Sequence, residues 1–378
     1  MPVSAVAIND RAIGPGQPPY VIAEIGGNFM TFEEGREFID AAIAAGVDAV
    51  KLQTYRADTL ASKKAMFDMP NVGRTSQYEL FKKYELGEDV HQQIFDYARQ
   101  KGITVFSTPS HATDADFLEK FGVPAFKIGS DDSYNIPFIE YIGRKGKPTI
   151  LSTGMSTMAE VLESTLAFLA TGNKQLIVLH CVTQYPTKPE GANLRAMVTM
   201  QRELGKLGVP VGWSDHIVGI DVSLMAVALG ACVIEKHFTL DKSLPGPEHQ
   251  LSADPAEMKQ LVTNTRNIHS ALRPDMSEEE RLALVTDILG DSVLGRIRAS
   301  LGSPEKKPSE EEKITVRNNR KSIVAEMDIP KGAVIDKGMV EIKRPGTGIA
   351  PKFITKMVGM RAKHDIQKED ILQWEDVE

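Results

Sequence analysis

Cysteine is scarce in this sequence, with only Cys181 and Cys232 among 378 residues. Neither has the spacing of a cysteine metal site. Both lie in apolar runs that predict buried strands, where a thiol behaves as a small apolar side chain. We therefore expect two reduced, buried cysteines in a cytoplasmic protein.

Positive charge and long apolar runs are also in short supply. The 44 Lys and Arg residues face 51 Asp and Glu residues, and the resulting net charge of −7 argues against nucleic acid or an anionic membrane as the main partner. No apolar run approaches the length of a membrane span. Residues 1–9 lack the basic start and apolar core of a secretory signal. We expect a protein with neither a nucleic-acid nor a membrane partner.

A third absence is that of any G-x-G-x-x-G turn, which disfavours a dinucleotide-binding open sheet. The chain instead contains eight short apolar runs that predict buried strands, each followed by a helical pattern. These runs are Tyr20–Ile25, Asp48–Thr54, Thr104–Thr108, Ala125–Ser130, Thr149–Ser152, Gln175–Cys181, Val209–Trp213 and Ala231–Lys236. Eight such units in about 270 residues match a (β/α)8 TIM barrel. An open, doubly wound sheet is the alternative fold.

Two lysines stand inside these apolar runs, Lys51 in A-V-K-L-Q-T and Lys127 in A-F-K-I-G-S. A buried ammonium group is costly unless it is paired or faces a ligand. One such lysine is as often part of a structural ion pair as of a binding site. Two of them, flanked by Ser and Thr at the same end of a barrel, indicate an anion site for phosphate or carboxylate.

Two histidines follow consecutive predicted strands, His216 after the seventh and His237 after the eighth. The ends of neighbouring parallel strands meet at one edge, so the imidazoles can approach each other. Together with the nearby carboxylates of Asp215, Glu235 and Glu248, they form a candidate divalent metal site. Either histidine alone is more often a structural group.

The composition changes twice along the chain. A loop of about thirty residues, from Tyr55 to Glu88, is long enough to be functional or a lid, with a small helix near Ser76–Tyr84. Near the end, a charged, Pro-containing stretch precedes short β-like runs. We expect a catalytic barrel over residues 1–288, a linker over 289–314 and a small, mostly β domain over 315–378.

Ten ordered motifs resemble the sialic acid (nonulosonic acid) synthase family over nearly the whole chain. They are A-E-I-G-x-N at Glu24, D-A-V-K-L-Q-T at Lys51, F-S-T-P at Thr108, F-K-I-G-S at Lys127, L-S-T-G-M at Ser152, H-C-V-x-x-Y-P at His180, S-D-H at His216, E-K-H-F-T at His237, P-G-P-E-H at Glu248 and K-R-P-G at Arg344. The resemblance implies a TIM barrel followed by an antifreeze-like (SAF) domain in a domain-swapped homodimer. It also implies condensation of phosphoenolpyruvate with an N-acetylated hexosamine, with Mn²⁺ or Mg²⁺ as cofactor.

The resemblance also assigns the site residues. It implies that the metal is bound by His216 and His237. Phosphoenolpyruvate would be held by Lys51, Thr108, Lys127, Ser130, Ser152, Ser214 and, in place of a family asparagine, Thr183. The sugar would be held by Gln53, Tyr185, Glu248 and the partner subunit's copy of Arg344, with Glu24 as the catalytic carboxylate. Glu24 would either activate water and transfer protons or only orient metal-bound water.

Three departures from the family pattern leave the acceptor sugar open. The family's N-H-x-G is N-F-M-T at residues 28–31, its asparagine before the Tyr-Pro is Thr183, and its aspartate in P-G-P-D-H is Glu248. The acceptor is N-acetylmannosamine or a di-N-acetylated 6-deoxyhexose. A family asparagine in the long loop has no clean counterpart, and Asn71 is not assigned. Another phosphoenolpyruvate-dependent 3-deoxy-ketulosonate synthase and a non-catalytic sugar-binding homologue are the alternative functions.

Overall fold

The computed structural model describes residues 3–69, 73–244, 246 and 248–378, so Asn71 lies outside the described residues. The strands are β1 (Val6–Ile8), β2 (Arg11–Ile13), β3 (Tyr20–Glu24), β4 (Ala49–Thr54), β5 (Met66–Met69), β6 (Gly73–Ser76), β7 (Thr104–Pro109), β8 (Phe126–Ile128), β9 (Thr149–Ser152), β10 (Leu176–Cys181), β11 (Val211–Asp215), β12 (Val233–His237), β13 (Ser322–Ala325) and β14 (Val340–Lys343). The helices are α1 (Phe32–Ala45), α2 (Ala57–Leu60), α3 (Gln77–Tyr84), α4 (Glu88–Lys101), α5 (Ala112–Glu119), α6 (Ile136–Arg144), α7 (Met158–Ala170), α8 (Leu194–Gly205), α9 (Asp221–Ala228), α10 (Pro255–Ala271), α11 (Glu278–Leu289), α12 (Leu294–Leu301), α13 (Glu312–Asn319) and α14 (Ile354–Met357).

Eight parallel strands form a closed barrel in the order β3, β4, β7, β8, β9, β10, β11, β12. The predicted TIM barrel is confirmed, and the open sheet is excluded. Both faces of these strands are covered, which explains why they are continuous apolar runs rather than alternating ones. The register pairs His237 with Glu24 and Ser214 with Glu235, so polar side chains of neighbouring strands reach the same end of the barrel.

The other end of the barrel is closed by the antiparallel hairpin β1–β2. Its Val6, Ile8 and Ile13 are buried in one cluster with Tyr20, Phe106 and other residues of the barrel interior. This hairpin is not predicted from the sequence because its strands are only three residues long. It leaves the C-terminal ends of the strands as the open face of the barrel.

The long loop after β4 carries α2, the hairpin β5–β6 and α3. The predicted small helix is confirmed as α3, which begins after Ser76, whose side chain accepts a hydrogen bond from the Glu79 N–H. We call residues 55–85 the arm. It folds over the open face of the barrel.

The C-terminal region contains β13 and β14, which pair antiparallel beside their own buried cluster. The stretch predicted as a linker contains α12 and the start of α13, and it buries Lys306 and Glu312. The proposed boundaries at residues 288 and 314 stay predictions. Both cysteines are free and buried. Within the described residues, no helix is long and apolar enough to cross a membrane.

Candidate active site

A cavity of about 230 Å³ opens at the C-terminal ends of the barrel strands. Almost all of the predicted site residues line it. They are Lys51, Gln53, Thr108, Lys127, Ser130, Ser152, Thr183, Tyr185, Ser214, His216, His237, Glu248 and Arg344. Glu24 is buried just behind this wall. The structure therefore brings together residues spread over nearly 300 positions, and their individual roles stay predictions.

Two lysines form the deep end of the cavity. The Lys51 ammonium donates a hydrogen bond to Thr108 Oγ1 at 3.1 Å, and the Lys127 ammonium donates to Ser152 Oγ at 2.6 Å. Burial lowers the pKa of Lys127, and Glu235 only partly offsets this effect. Ammonium and hydroxyl groups that converge in a buried place suit a phosphate or carboxylate.

Glu235 lies between the two lysines, 3.8 Å from Lys51 Nζ and 3.7 Å from Lys127 Nζ, and accepts a hydrogen bond from Ser214 at 3.0 Å. Burial would raise its pKa, but the two lysines lower it to about 2. The sequence interpretation treated Glu235 as a metal carboxylate, whereas in the structure it is the counter-ion of the two lysines. The sequence already indicated that Glu235 points into the barrel. Side chains alternate along a strand, so Glu235 faces the same side as His237, and Lys236 faces the opposite side.

Glu24 does not line the cavity. Its Oε1 accepts hydrogen bonds from the Gly26 N–H at 2.7 Å and from Gln53 Nε2 at 3.3 Å, and its Oε2 pairs with Lys51. Burial raises the pKa of Glu24, and Lys51 opposes the shift. Gly26 is required here because a Cβ would lie 2.5 Å from Glu24 Oε1 and 2.6 Å from the backbone nitrogen of Gln53. Glu24 thus contacts Lys51 and Gln53, two residues that line the cavity, on their side away from it.

The two imidazoles lie together at the other side of the cavity, with ring centroids 5.3 Å apart. His216 Nδ1 is 2.7 Å from the Val182 carbonyl oxygen, an arrangement that leaves Nε2 free as a lone-pair donor. Glu248 Oε2 is 3.2 Å from His237 Nδ1, and both atoms are buried without a hydrogen-bond partner. The Tyr185 ring packs on His216 with a centroid distance of 4.2 Å.

These residues fit a divalent metal. The described residues contain no group of three or more His, Cys, Asp or Glu side chains arranged around one metal position. The two histidines would therefore supply the protein nitrogens, while oxygens of water or substrate complete the shell. Nitrogen and oxygen donors of this kind suit Mn²⁺ or Mg²⁺ better than a thiolate-binding metal.

Asp215 takes no part in this cluster. Its carboxylate accepts hydrogen bonds from Ser223 Oγ, from the Ile217 N–H and from Lys236 Nζ at 3.0 Å. The Asp215–Lys236 pair is fully buried outside the barrel interior, next in sequence to both histidines. The interpretation of Asp215 as a metal carboxylate is wrong, because along a strand neighbouring side chains face opposite sides.

The loops after β8, β9 and β10 meet beside the lysines. Ser130 Oγ accepts a hydrogen bond from the Gly154 N–H at 2.9 Å, and Thr183 Oγ1 is buried without a partner. A Cβ on Gly154 would lie 1.9 Å from Thr183 Oγ1, so only glycine fits this contact. Thr183 therefore offers a free hydroxyl to the cavity where the family has an amide.

An aromatic wall, formed by Tyr55, Phe67 and Phe81 of the arm, closes the outer end of the cavity together with Leu60 and Leu80. The ring of Phe81 lies 5.5 Å from that of Tyr55 and 5.9 Å from that of Phe67. Sequence reasoning missed this wall, because its residues are scattered over a loop without periodicity.

Arg344 of the C-terminal region covers the outer end of the cavity. Its guanidinium lies 5.0 Å above the Phe81 ring and binds Asp131 at 2.7 Å. Its backbone joins the arm, because the Arg344 N–H donates to the Leu60 carbonyl and the Ser62 N–H donates to the Arg344 carbonyl, both at 2.9 Å. In this single chain Arg344 therefore faces its own barrel.

Phe29, the first departure from the family pattern, does not reach the cavity. It is buried in the main core and packs against Phe38, with a centroid distance of 6.1 Å. Thr31, in the same stretch, caps α1 by accepting a hydrogen bond from the Glu34 N–H. The change at Phe29 therefore affects core packing, and the cavity is lined by other residues.

Comparisons with known proteins agree with this geometry. Residues 38–276 match the NeuB family, and residues 320–378 match the SAF domain. The N,N'-diacetyllegionaminic acid synthase of Legionella pneumophila is 38% identical over 97% of this chain and 96% of that protein. The pseudaminic acid synthase of Campylobacter jejuni is 34% identical over 94% of this chain and 95% of that protein. The crystal structure of the spore coat polysaccharide biosynthesis protein SpsE of Bacillus subtilis matches with a TM-score of 0.81 at 29% identity, covering 99% of both chains.

Proposed function

Because the chain belongs to the NeuB family, we propose that this nonulosonic acid synthase condenses phosphoenolpyruvate with an open-chain N-acetylated amino sugar. The products are a nine-carbon 2-keto sugar acid and inorganic phosphate. One observation carries the proposal: two buried lysines and two adjacent histidines line one cavity. Such a cavity can hold an anionic substrate and a metal side by side.

The deep end binds phosphoenolpyruvate in this proposal. Lys51 and Lys127 neutralise its phosphate and carboxylate, and Thr108, Ser152 and Thr183 donate hydroxyl hydrogen bonds. Carbon 3 of phosphoenolpyruvate forms the new bond to the aldehyde carbon of the sugar. Water adds at carbon 2, and phosphate leaves from the resulting tetrahedral hemiketal.

His216 and His237 hold the divalent metal, Mn²⁺ or Mg²⁺, which when bound supplies Lewis-acid polarisation of the aldehyde oxygen. Tyr185 packs on the His216 ring and fixes its orientation. Glu248, beside His237, accepts hydrogen bonds from hydroxyl groups of the sugar. Gln53, beside Glu24, forms hydrogen bonds with the hydroxyl and acetamido groups of the sugar.

Glu24 is the proposed acid–base group. Its Oε2 pairs with Lys51, so a proton passes between Glu24 and the reacting atoms through Lys51 or a water, while Gln53 only holds Glu24 by a hydrogen bond. Burial raises the pKa of Glu24, which favours a carboxyl group that takes up and releases a proton. The same contacts orient Lys51 toward the phosphate.

The aromatic wall favours one class of acceptor. Tyr55, Phe67 and Phe81 offer an apolar surface, and Arg344 above them is already paired with Asp131. A hydroxymethyl group against such a wall would lose hydrogen bonds to water, whereas a methyl group would not. We therefore propose that the acceptor is a di-N-acetylated 6-deoxyhexose rather than N-acetylmannosamine.

The proposal is tested with a panel of sugars. The purified protein is incubated with phosphoenolpyruvate, Mn²⁺ and either N-acetylmannosamine, its 6-phosphate or a 2,4-diacetamido-2,4,6-trideoxyhexose, and phosphate release and product mass are measured. We expect phosphate release only with sugar present, and a kcat/KM for the trideoxy sugar about tenfold or more above that for N-acetylmannosamine. Equal values would contradict the role of the wall. No phosphate with any sugar would contradict the condensation itself.

A further inference from the structure

The segment that connects the barrel to the C-terminal β region is fixed to the loops of the cavity. We call residues 306–321 the strap. Three consecutive glutamates lead into its helix α13, and the middle one, Glu311, is exposed whereas Glu312, the first helical residue, is buried. A run of acidic residues is usually a solvated surface. A single buried carboxylate within such a run requires partners that a solvated surface would not supply.

Glu312 finds those partners in the main chain of two barrel loops. Its Oε1 accepts hydrogen bonds from the Met155 N–H at 3.0 Å and from the Thr183 N–H at 2.7 Å. Its Oε2 accepts from the Ser309 N–H at 3.1 Å, and Ser309 Oγ accepts from the Glu312 N–H at the same distance. These two reciprocal hydrogen bonds between Ser309 and Glu312 hold the carboxylate in the orientation in which it contacts the barrel loops.

The two loops joined by Glu312 carry residues of the anion site. Met155 follows Ser152 and Gly154, and Thr183 presents its free hydroxyl to the cavity. Met155 has a φ of 62°, a left-handed backbone that a residue other than glycine rarely adopts without support. Glu312 bonds to the N–H of this residue, and Arg320 donates to its carbonyl oxygen at 2.6 Å.

The strap makes further contacts along the same rim. Lys306 Nζ donates to the Cys181 carbonyl oxygen at 3.3 Å, and the Lys306 carbonyl oxygen accepts from the Met158 N–H at 2.9 Å. Lys321 Nζ binds Asp132 and the Ser110 carbonyl oxygen, each at 2.6 Å. The strap therefore contacts the loops after β7, β8, β9 and β10, the loops beside the lysines.

We infer that Glu312 is a positioning residue for phosphoenolpyruvate: its carboxylate ties the loops after β9 and β10 together and sets the distance between the hydroxyls of Ser152 and Thr183. The inference rests on the proposed function. It gives the C-terminal region a second task besides presenting Arg344, because docking of the strap shapes the phosphate end of the cavity as well as the sugar end.

The test compares three variants of the full-length protein. Glu312→Ala removes both acceptors, Glu312→Gln keeps an oxygen that can face the Met155 and Thr183 N–H groups, and Glu311→Ala is the matched control at an exposed neighbour. Two quantities are measured: hydrogen–deuterium exchange in peptides covering residues 153–158 and 181–186, and phosphoenolpyruvate affinity by calorimetry with Mn²⁺ and without sugar.

We expect Glu312→Ala to speed exchange in both peptides and to weaken phosphoenolpyruvate binding about tenfold. The KM for the sugar should change much less. Glu312→Gln should fall between Glu312→Ala and the wild type, and Glu311→Ala should match the wild type. Because every subunit carries the same substitution, the result does not depend on whether the strap contacts its own barrel or that of a partner.

Unchanged exchange in both peptides would overturn the inference, and so would faster exchange with unchanged phosphoenolpyruvate affinity. Equal losses of affinity for phosphoenolpyruvate and sugar would also overturn it, since they indicate general loosening. If Glu312→Ala does not fold, Glu312→Gln decides in the same way. A wild-type protein that binds no phosphoenolpyruvate would instead refute the proposed function, with the exchange data still reporting the tie between the loops.

Discussion

Two ammonium groups and two carboxylates cluster at the deep end of the cavity: Lys51, Lys127 and Glu235 line it, and Glu24 pairs with Lys51 from behind its wall. Their formal charges sum to zero in the absence of substrate. Buried charges of this kind are tolerated only as paired sets, so removal of one leaves the others uncompensated. In the proposed reaction, phosphoenolpyruvate must therefore compete with Glu24 and Glu235 for the lysines.

Replacement of Lys127 by Met should weaken phosphoenolpyruvate binding. The Lys127 ammonium is fully buried in the anion site, and loss of one charge-assisted contact costs about 2 kcal/mol, or roughly thirtyfold in affinity. Lys51→Met should act in the same direction. Calorimetry with phosphoenolpyruvate measures the effect, and Lys83→Met, at an exposed lysine of α3, is the control. Unchanged phosphoenolpyruvate affinity in both Lys51→Met and Lys127→Met would show that the two lysines do not form the anion site.

Glu235 should make stability depend on pH. Its pKa is lowered from 4.5 to about 2, so the ionised form stabilises the folded state above about pH 4.5 and this contribution is lost as the pH falls toward 2. Between pH 6 and pH 3 the wild type should lose about 2 kcal/mol more free energy of unfolding than Glu235→Gln. Urea unfolding at both pH values measures the difference. Parallel losses in the two proteins would show that Glu235 is not held ionised by the lysines.

At the scale of elements, the metal site depends on the ends of β11 and β12. These neighbouring parallel strands place His216 and His237 at one level, and the Asp215–Lys236 pair joins the same strands on the outer side. Either histidine alone is weak evidence for a metal site. The two together are informative because their strands are neighbours in the barrel.

His216→Ala and His237→Ala should each abolish activity and Mn²⁺ binding, because two protein nitrogens are too few to lose one. Calorimetric titration of Mn²⁺ into the chelator-treated protein measures binding directly, apart from turnover. His180→Ala is a useful comparison, since His180 is buried beside Trp213 and bonds to the Ala192 carbonyl oxygen outside the cavity. Near-normal turnover of either metal variant after chelator treatment would refute the assignment.

The sequence predicts the barrel and most of the cavity for a physical reason. Parallel strands covered on both faces must be continuous apolar runs, so Lys51 and Lys127 stand out within them. The arm's aromatic wall and the hairpin β1–β2 have no such pattern, because their contacts are long-range and their segments short. Glu312 looked like one charge in a solvated run, since only the fold shows which of three adjacent glutamates turns inward.

At the scale of the whole molecule, the barrel and the C-terminal region share one site. Arg344 reaches the cavity from the C-terminal side and contacts Phe81 and Asp131 of the barrel in the same chain. The family resemblance implies that the region is exchanged between two subunits. An exchanged region would occupy the same place on the partner's barrel, so the same contacts serve either arrangement.

Mixing two inactive variants distinguishes these arrangements. An Arg344→Ala subunit is combined with a Lys51→Met subunit, and mixed dimers are isolated through different affinity tags. If the regions are exchanged, one site of each mixed dimer has both Arg344 and Lys51, and we expect activity to return in part. No recovery in verified mixed dimers would show that Arg344 acts in its own chain or not at all.

The hairpin β1–β2 has a consequence for the order of events. It closes the bottom of the barrel, so the described residues leave the cavity to be entered from the end that carries Arg344 and the aromatic wall. In the proposed reaction, a molecule bound for Lys51 and Lys127 must pass the place that the sugar occupies. Phosphoenolpyruvate must therefore arrive first. A sugar that enters an empty cavity obstructs the way, and the acceptor becomes an inhibitor of its own conversion at high concentration.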